Sequence, residues 1–137
     1  MSILQTQTTS FKAELYQAIH DLTTDVLKVA LYTGNADLNE TTTVYTTLNE
    51  VTGGGYVAGG VILTGATVNS SGYTAYVNFN NASFSAAVTA RCALIYNSSK
   101  GNKSIAVLDF GSDKTSSSFT LTMPANTPTT ALLRSSA

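Results

Sequence analysis

The apolar positions between Ala90 and Met123 form two short unbroken runs, Cys92 to Tyr96 and Ile105 to Leu108, on either side of a polar loop. The strict alternation Phe119, Leu121, Met123 follows. Unbroken runs of this length predict a buried hairpin, and the alternation predicts a half-buried strand. Gly101 suits a left-handed position closing a three-residue loop, Ser99-Lys100-Gly101. That loop would set Ile95 opposite Ile105, Ala93 opposite Val107 and Arg91 opposite Asp109, joining the only charges of the two runs as a cross-strand pair.

Elsewhere the pattern is mostly that of strands. Met1 to Thr9 is polar, lacks helical spacing and reads as an extended arm. Ser10 is placed to cap a helix of roughly three turns, because Phe11, Leu15, Ile19 and Leu22 recur at helical spacing. Val26 to Tyr32 reads as a strand ending at Thr33-Gly34-Asn35, and Thr43 to Val51 as a weak edge strand. Gly53-Gly54-Gly55 and Gly59-Gly60 suit a sharp bend where the chain changes sheets. Val61 to Val68 and Tyr73 to Phe79 predict a second hairpin around Asn69-Ser70-Ser71-Gly72, Asn80 to Ser85 a loop, and Thr130 to Arg134 a last strand. The expected fold is mainly β, an antiparallel β-sandwich or jelly roll with one short N-terminal helix. The arm spans residues 1–9 and a single domain spans 10–137.

Composition sharpens this picture. Only 11% of the 137 residues are charged, well under the usual share of about 25%, so solubility rests on Thr, Ser and Asn. Such a surface offers little resistance to docking, since Lys and Glu are depleted where proteins bury surface against one another. Permanent assembly is therefore expected, with a hydroxyl-coated monomer as the plainer alternative. Seven basic and eight acidic residues, net charge −1, do not make the footprint that holds a phosphate backbone, so no nucleic-acid partner is expected. The N-terminal residues lack a basic start and an apolar stretch, and no run reaches 18 apolar residues, so neither a secretory signal nor a membrane span is expected. Cys92 reads as a small buried hydrophobe.

Candidate chemistry is sparse. His20 is the sole histidine; Ser10 and Asp21 are near in sequence, but no nucleophile turn accompanies them. Asp109-Phe110-Gly111 spells a kinase triplet without the kinase's other elements. Asp37, Asn39 and Glu40 depart from calcium-loop spacing, and Gly53 to Ala58 matches a dinucleotide pattern without the strand and helix it requires. No catalytic, cofactor-binding or metal-ligating residue is predicted, and the chain reads as no enzyme. Two features remain for recognition. Tyr45 and Tyr56 lie in loop-like contexts, either as core rings or as exposed rings for a sugar or a protein. Ile3 and Leu4 are apolar residues in a polar arm, either disordered or ordered on docking to a partner.

The segments Lys28-Val29-Ala30-Leu31-Tyr32, Gly55-Tyr56-Val57-Ala58-Gly59-Gly60, Leu94-Ile95-Tyr96-Asn97 and Asp109-Phe110-Gly111 lie in a stretch, Ser10 to about Met123, that resembles small structural proteins of tailed bacteriophages and prophages. The resemblance is to the cement or decoration proteins of phage heads. It implies a β-sandwich or jelly roll acting as a homo-oligomer on the major capsid protein, made in the bacterial host cytoplasm and ending on the capsid surface of the virion. A tail, neck or fibre protein, and a carbohydrate-binding module of the virion surface, are the alternatives. Ile3, Leu4, Tyr45 and Tyr56 are the expected assembly contacts.

Overall fold

The computed structural model describes residues 3–136; Met1, Ser2 and Ala137, the outermost residues of the expected arm and domain, lie outside the described residues. In chain order the elements are β1 (Thr6–Gln7), α1 (Thr9–Tyr16), β2 (Leu27–Tyr32), β3 (Val61–Leu63), β4 (Thr67–Ser71), β5 (Thr74–Asn78), β6 (Ala82–Ser83), β7 (Val88–Asn97), β8 (Lys103–Ser116), β9 (Thr120–Leu121) and β10 (Leu133–Ser136). A single 3-10 turn, Ser98–Lys100, joins β7 to β8. The protein is mainly β, with antiparallel sheets and one α-helix. A five-stranded sheet runs β1-β8-β7-β2-β3, a three-stranded sheet runs β10-β5-β4, and β6 pairs with β9.

The five-stranded sheet carries apolar side chains on both faces, which is why its central strands read as unbroken runs. On one face Val29, Leu31, Ala93, Ile95 and Leu108 join the main core, closed by Phe79, Phe84, Phe119 and Leu133 from the other sheets and loops. On the other, Ala30, Tyr32, Cys92, Leu94, Tyr96 and Val107 pack beneath Ala36 and Leu38 of the loop after β2, with Ile3 and Tyr45 against them. Cys92 is fully buried, and burial, followed by the Asp109 charge, pushes its thiol up to about 12.

The β7–β8 register shows both the reach of local reasoning and its limit. Next to the turn it is as expected: Asn97 pairs with Lys103 and Tyr96 with Ser104, and Gly101 is left-handed with φ 67°. A bulge then leaves Ile105 as an extra residue, so Ile95 faces Ala106 and Ala93 faces Leu108, one place from expectation. The extra residue lets both Ile105 and Ala106 enter the main core. Arg91 and Asp109 still meet, Nε to Oδ1 at 3.1 Å, although Asp109 lies opposite Cys92.

Several boundaries move. The helix is capped by Thr8, whose hydroxyl accepts from Phe11 N–H, and not by Ser10. It ends after two turns because Ala18 turns left-handed, φ 57°, with Ala18 N–H donating to Leu15 O and Ile19 N–H to Glu14 O. That turn carries His20 back under the helix. The expected strand Val61 to Val68 breaks at Thr64-Gly65-Ala66: β3 joins β2, and β4 starts the other sheet. The change of sheet therefore occurs at Gly65, beyond both glycine clusters. The turn of the second hairpin is Gly72-Tyr73, while Asn69 to Ser71 belong to β4. Residues 82–90 alternate buried and exposed throughout, so the expected loop contains β6. The weak edge strand at Thr43 to Val51 is reduced to isolated bridges, Val44 with Lys103 and Glu50 with Tyr32.

The N-terminal segment lies along its own domain. Ile3 bridges Leu38, Leu4 N–H donates to Leu38 O at 3.0 Å, and β1 pairs with Val107 and Ala106 of β8. The expectation of an arm that orders only on a partner meets a segment satisfied within the chain, because the outer edge of β8 supplies the donors and acceptors an extended strand needs.

Candidate functional site

The densest polar cluster lies where the loop after β2 returns to the outer face of the five-stranded sheet. Glu50, only 7% exposed, accepts from Tyr45 Oη on Oε1 at 2.6 Å and from Tyr56 Oη on Oε2 at 2.6 Å. Gly59 N–H donates to Oε2 at 2.9 Å. Three donors converging on one carboxylate at these lengths are the pattern of an ionised acceptor. Among the described residues no Lys or Arg pairs with it. The two phenols and the Gly59 amide hold this carboxylate in the interior.

The surrounding rings extend the cluster. Tyr45 stacks on Tyr96 with centroids 4.7 Å apart. Tyr96 Oη donates to Gly59 O and Tyr32 Oη to Thr46 O, each at 2.6 Å. Tyr56 Oη accepts from Leu31 N–H at 3.0 Å while donating to Glu50. Burial raises the phenol pKa of Tyr45 and Tyr56, and the hydrogen bond to Glu50 raises both further. Burial, then the Glu50 charge, pushes Tyr96 up to about 12. These phenols therefore stay protonated and remain donors. Gly60 permits the close approach: a Cβ there would lie 1.8 Å from Val29 O, so the loop rests on β2 backbone to backbone. The cluster fastens residues 44–60 to β2 and β7.

A second network links the helix to the hairpin turn. His20 Nε2 lies 2.8 Å from Glu14 Oε1, and His20 Nδ1 lies 3.0 Å from Asn97 Nδ2. Asn97 also donates from Nδ2 to Asp25 Oδ2 at 2.7 Å and accepts from Ser99 N–H on Oδ1 at 3.1 Å. Those two partners fix which end of the amide is nitrogen, so His20 Nδ1 accepts and Nε2–H donates to Glu14. Asp25 receives Lys100 Nζ at 2.9 Å and Asp21 N–H at 3.0 Å. Burial raises its pKa, but the bonds from Asn97, Asp21 and Lys100 outweigh that and hold it at about 2. The histidine is thus buried, neutral and spoken for on both nitrogens.

Of the residues expected to make assembly contacts, Ile3 and Tyr45 pack against the outer-face core, while the Tyr56 ring packs against the main core beside Phe84 and is joined to Tyr45 through Glu50. Leu4 stands apart, 48% exposed. The Tyr45 and Tyr56 rings are half-buried with their hydroxyls turned inward, which is the core alternative for these tyrosines. The rings that project most are Tyr16 at 94% and Tyr73 at 89%. Sequence reasoning missed Glu50; its signal is isolation, as the only charged residue between Glu40 and Arg91. Asn39 uses its own oxygen on Thr41 N–H and Oγ1 and donates to Asp37. Among the described residues no group of three or more His, Cys, Asp or Glu converges on a common point. No protein-family model, curated protein or solved structure matches the chain.

Proposed function

We propose that the chain is a non-enzymatic structural protein of a tailed-phage virion, a capsid cement or decoration protein that binds the major capsid protein shell and stabilises it. The observation that carries this reading is a division of the chain by charge. Residues 51–90 contain no Asp, Glu, Lys or Arg, yet Val57, Ile62, Val68 and Tyr73 of this block are 73, 58, 56 and 89% exposed. The groups with chemical potential, His20, Glu50 and Cys92, are buried and, for the first two, tied to internal partners. A surface without charge and with apolar side chains turned outward suits permanent burial against protein. The main core, shared between one face of the five-stranded sheet and the smaller sheets, is read here as the filling of a β-sandwich.

Such a protein would act by mass action, favouring the assembled shell because it binds the shell and not its separated subunits, with many copies sharing one lattice. The carbohydrate-binding alternative loses support, because it relied on open rings at Tyr45 and Tyr56. The test is to add the purified protein to phage heads stripped of it, then to image the heads and heat them. Ordered density on the shell with a raised disruption temperature is expected. Density confined to tail or neck, or no binding, overturns the capsid reading.

A further inference from the structure

The three-stranded sheet exposes a strand edge that the rest of the fold leaves open. β4 pairs with β5 through a two-residue turn, so Ser71 and Thr74 exchange hydrogen bonds and the bonding pairs alternate outward. Thr67, Asn69 and Ser71 therefore direct their backbone groups at β5, and Val68 and Ser70 direct theirs away from it. Among the described residues no strand lies beyond β4, and no side chain bonds to the backbone of Val68 or Ser70. All five residues of β4 are exposed. None is charged, none is proline, and no bulge twists the strand away, so the usual protections of an edge are missing.

The other edges are occupied, short or charged: beyond its pairing with β1, β8 has no outer strand partner over residues 109–116 among the described residues, but that stretch carries Asp109, Asp113 and Lys114. On β10 the alternation turns the Arg134 backbone outward, and Gln7 Nε2 donates to Arg134 O at 2.9 Å. Beside β3, Asn80 N–H donates to Thr64 O at 2.9 Å. The strand β1 has two residues.

We propose that β4 is a self-pairing edge: two copies of this chain join antiparallel about a two-fold axis at Asn69, making one six-stranded sheet, β10-β5-β4-β4-β5-β10. The register follows from the free groups. Centred on Asn69, Val68 of each copy faces Ser70 of the other, and all four outward N–H and C=O groups on each strand find partners. Centring on Val68 or on Ser70 leaves groups of the other residue unmatched. A second copy is the occupant because the edge is self-complementary in its hydrogen bonding and carries no charge to repel its own image or to select a charged partner. The axis stands perpendicular to the sheet, so the apolar face of Val68, Ala75, Val77 and Leu133 continues on one side across both copies. On that side it lines a cleft of about 420 Å³ with Phe11, Leu15 and Leu22. This pairing belongs to the isolated protein and stands or falls independently of capsid binding.

Sedimentation velocity on the full chain across a wide concentration series tests it, read with amide exchange. The wild type is expected to pass from one-copy to two-copy mass, with the Val68 and Ser70 amides slowing as the dimer fills. Val68→Lys sets an ammonium on the edge and Ser70→Pro removes an outward donor; each should weaken the dimer by at least roughly tenfold. The Asn69 amide, bonded to β5, should stay protected in both variants, which shows that the hairpin is still folded. Val57→Lys, exposed in the same uncharged block but off the edge, should leave the dimer unchanged. A wild type of one-copy mass throughout, with Val68 and Ser70 amides exchanging like exposed ones, overturns the proposal. So does a dimer that survives both edge variants.

Discussion

The hairpins β7–β8 and β4–β5 share antiparallel pairing across a short turn and end in opposite situations, the first carrying unbroken apolar runs and the second the mostly polar strand Thr67-Val68-Asn69-Ser70-Ser71. In β7 every residue from Cys92 to Asn97 is buried; in β4 every residue is exposed. The difference in composition is matched by what covers them. The central hairpin has β2 and β1 at its sides, a main core on one face and a loop on the other. The outer hairpin has β10 on one side and, among the described residues, no strand beyond β4. Both sequences specify a strand, while burial follows the apolar content of the strand together with the segments the topology delivers to it.

Substitution in the two hairpins should make that contrast measurable. Ile95→Ala, in the fully buried strand, should cost about 3–5 kcal/mol in urea denaturation through lost burial and the cavity left behind. A loss under about 1 kcal/mol would mean that the central sheet is loosely packed. Glu50→Ala tests the loop that covers the outer face. Removing the acceptor strands two tyrosine hydroxyls and one backbone N–H, at a cost of about 2–4 kcal/mol. Glu50→Gln should recover only part of this, because an amide has one acceptor oxygen where the carboxylate uses two. Equal stability of the Gln variant and wild type would contradict the ionised clamp.

A smaller effect comes from the network that ties the helix to the β7–β8 turn. The Asp25 pKa is lowered from 3.8 to about 2, so its contribution is present above about pH 4 and drains away as pH falls towards 2. Lys100 is 37% exposed, and screening limits the total to on the order of 1–2 kcal/mol. In acid titrations of stability Asp25→Asn should flatten this part of the curve; a slope unchanged by the substitution would assign it to other carboxylates. Smallest of all, Val68→Ala in the outer hairpin should shift monomer stability by less than about 0.5 kcal/mol. A loss comparable to that of Ile95→Ala would show β4 to be covered in solution even at one-copy mass.

What could be read from the sequence follows the same division. Local features were legible: the two buried runs, the left-handed Gly101, the burial of Cys92 and the approach of Arg91 to Asp109. Each depends on residues within one hairpin. The bulge at Ile105 was not legible, because it answers to core volume and not to turn chemistry. The break at Gly65 was hidden, since Val61 to Val68 has a continuous strand composition although its halves belong to different sheets. The Glu50 clamp joins residues on two stretches of loop to rings on β2 and β7, and no spacing rule links them. Assembly contacts were expected at Ile3, Leu4, Tyr45 and Tyr56 on the strength of apolar character in polar surroundings. For Tyr45 and Tyr56 the surroundings turn out to be protein, because the loop folds back onto the sheet.

The placement of β1 and β10 also sets an order in time. β1 pairs with β8 and β10 with β5, so neither strand belongs to a contact that forms locally. Closing such long loops loses chain entropy before any pairing rewards it, whereas a hairpin such as β7–β8 closes through a short turn. The central hairpin is thus the natural nucleus, with β2 and β10 pairing later across comparable separations and β1, the farthest in sequence from its partner, locking last. During refolding the segment at residues 3–8 would be the last to become protease-resistant. Until it does, the outer edge of β8 at Ala106 and Val107 remains open to any passing strand, so this interval carries an added exposure to mispairing.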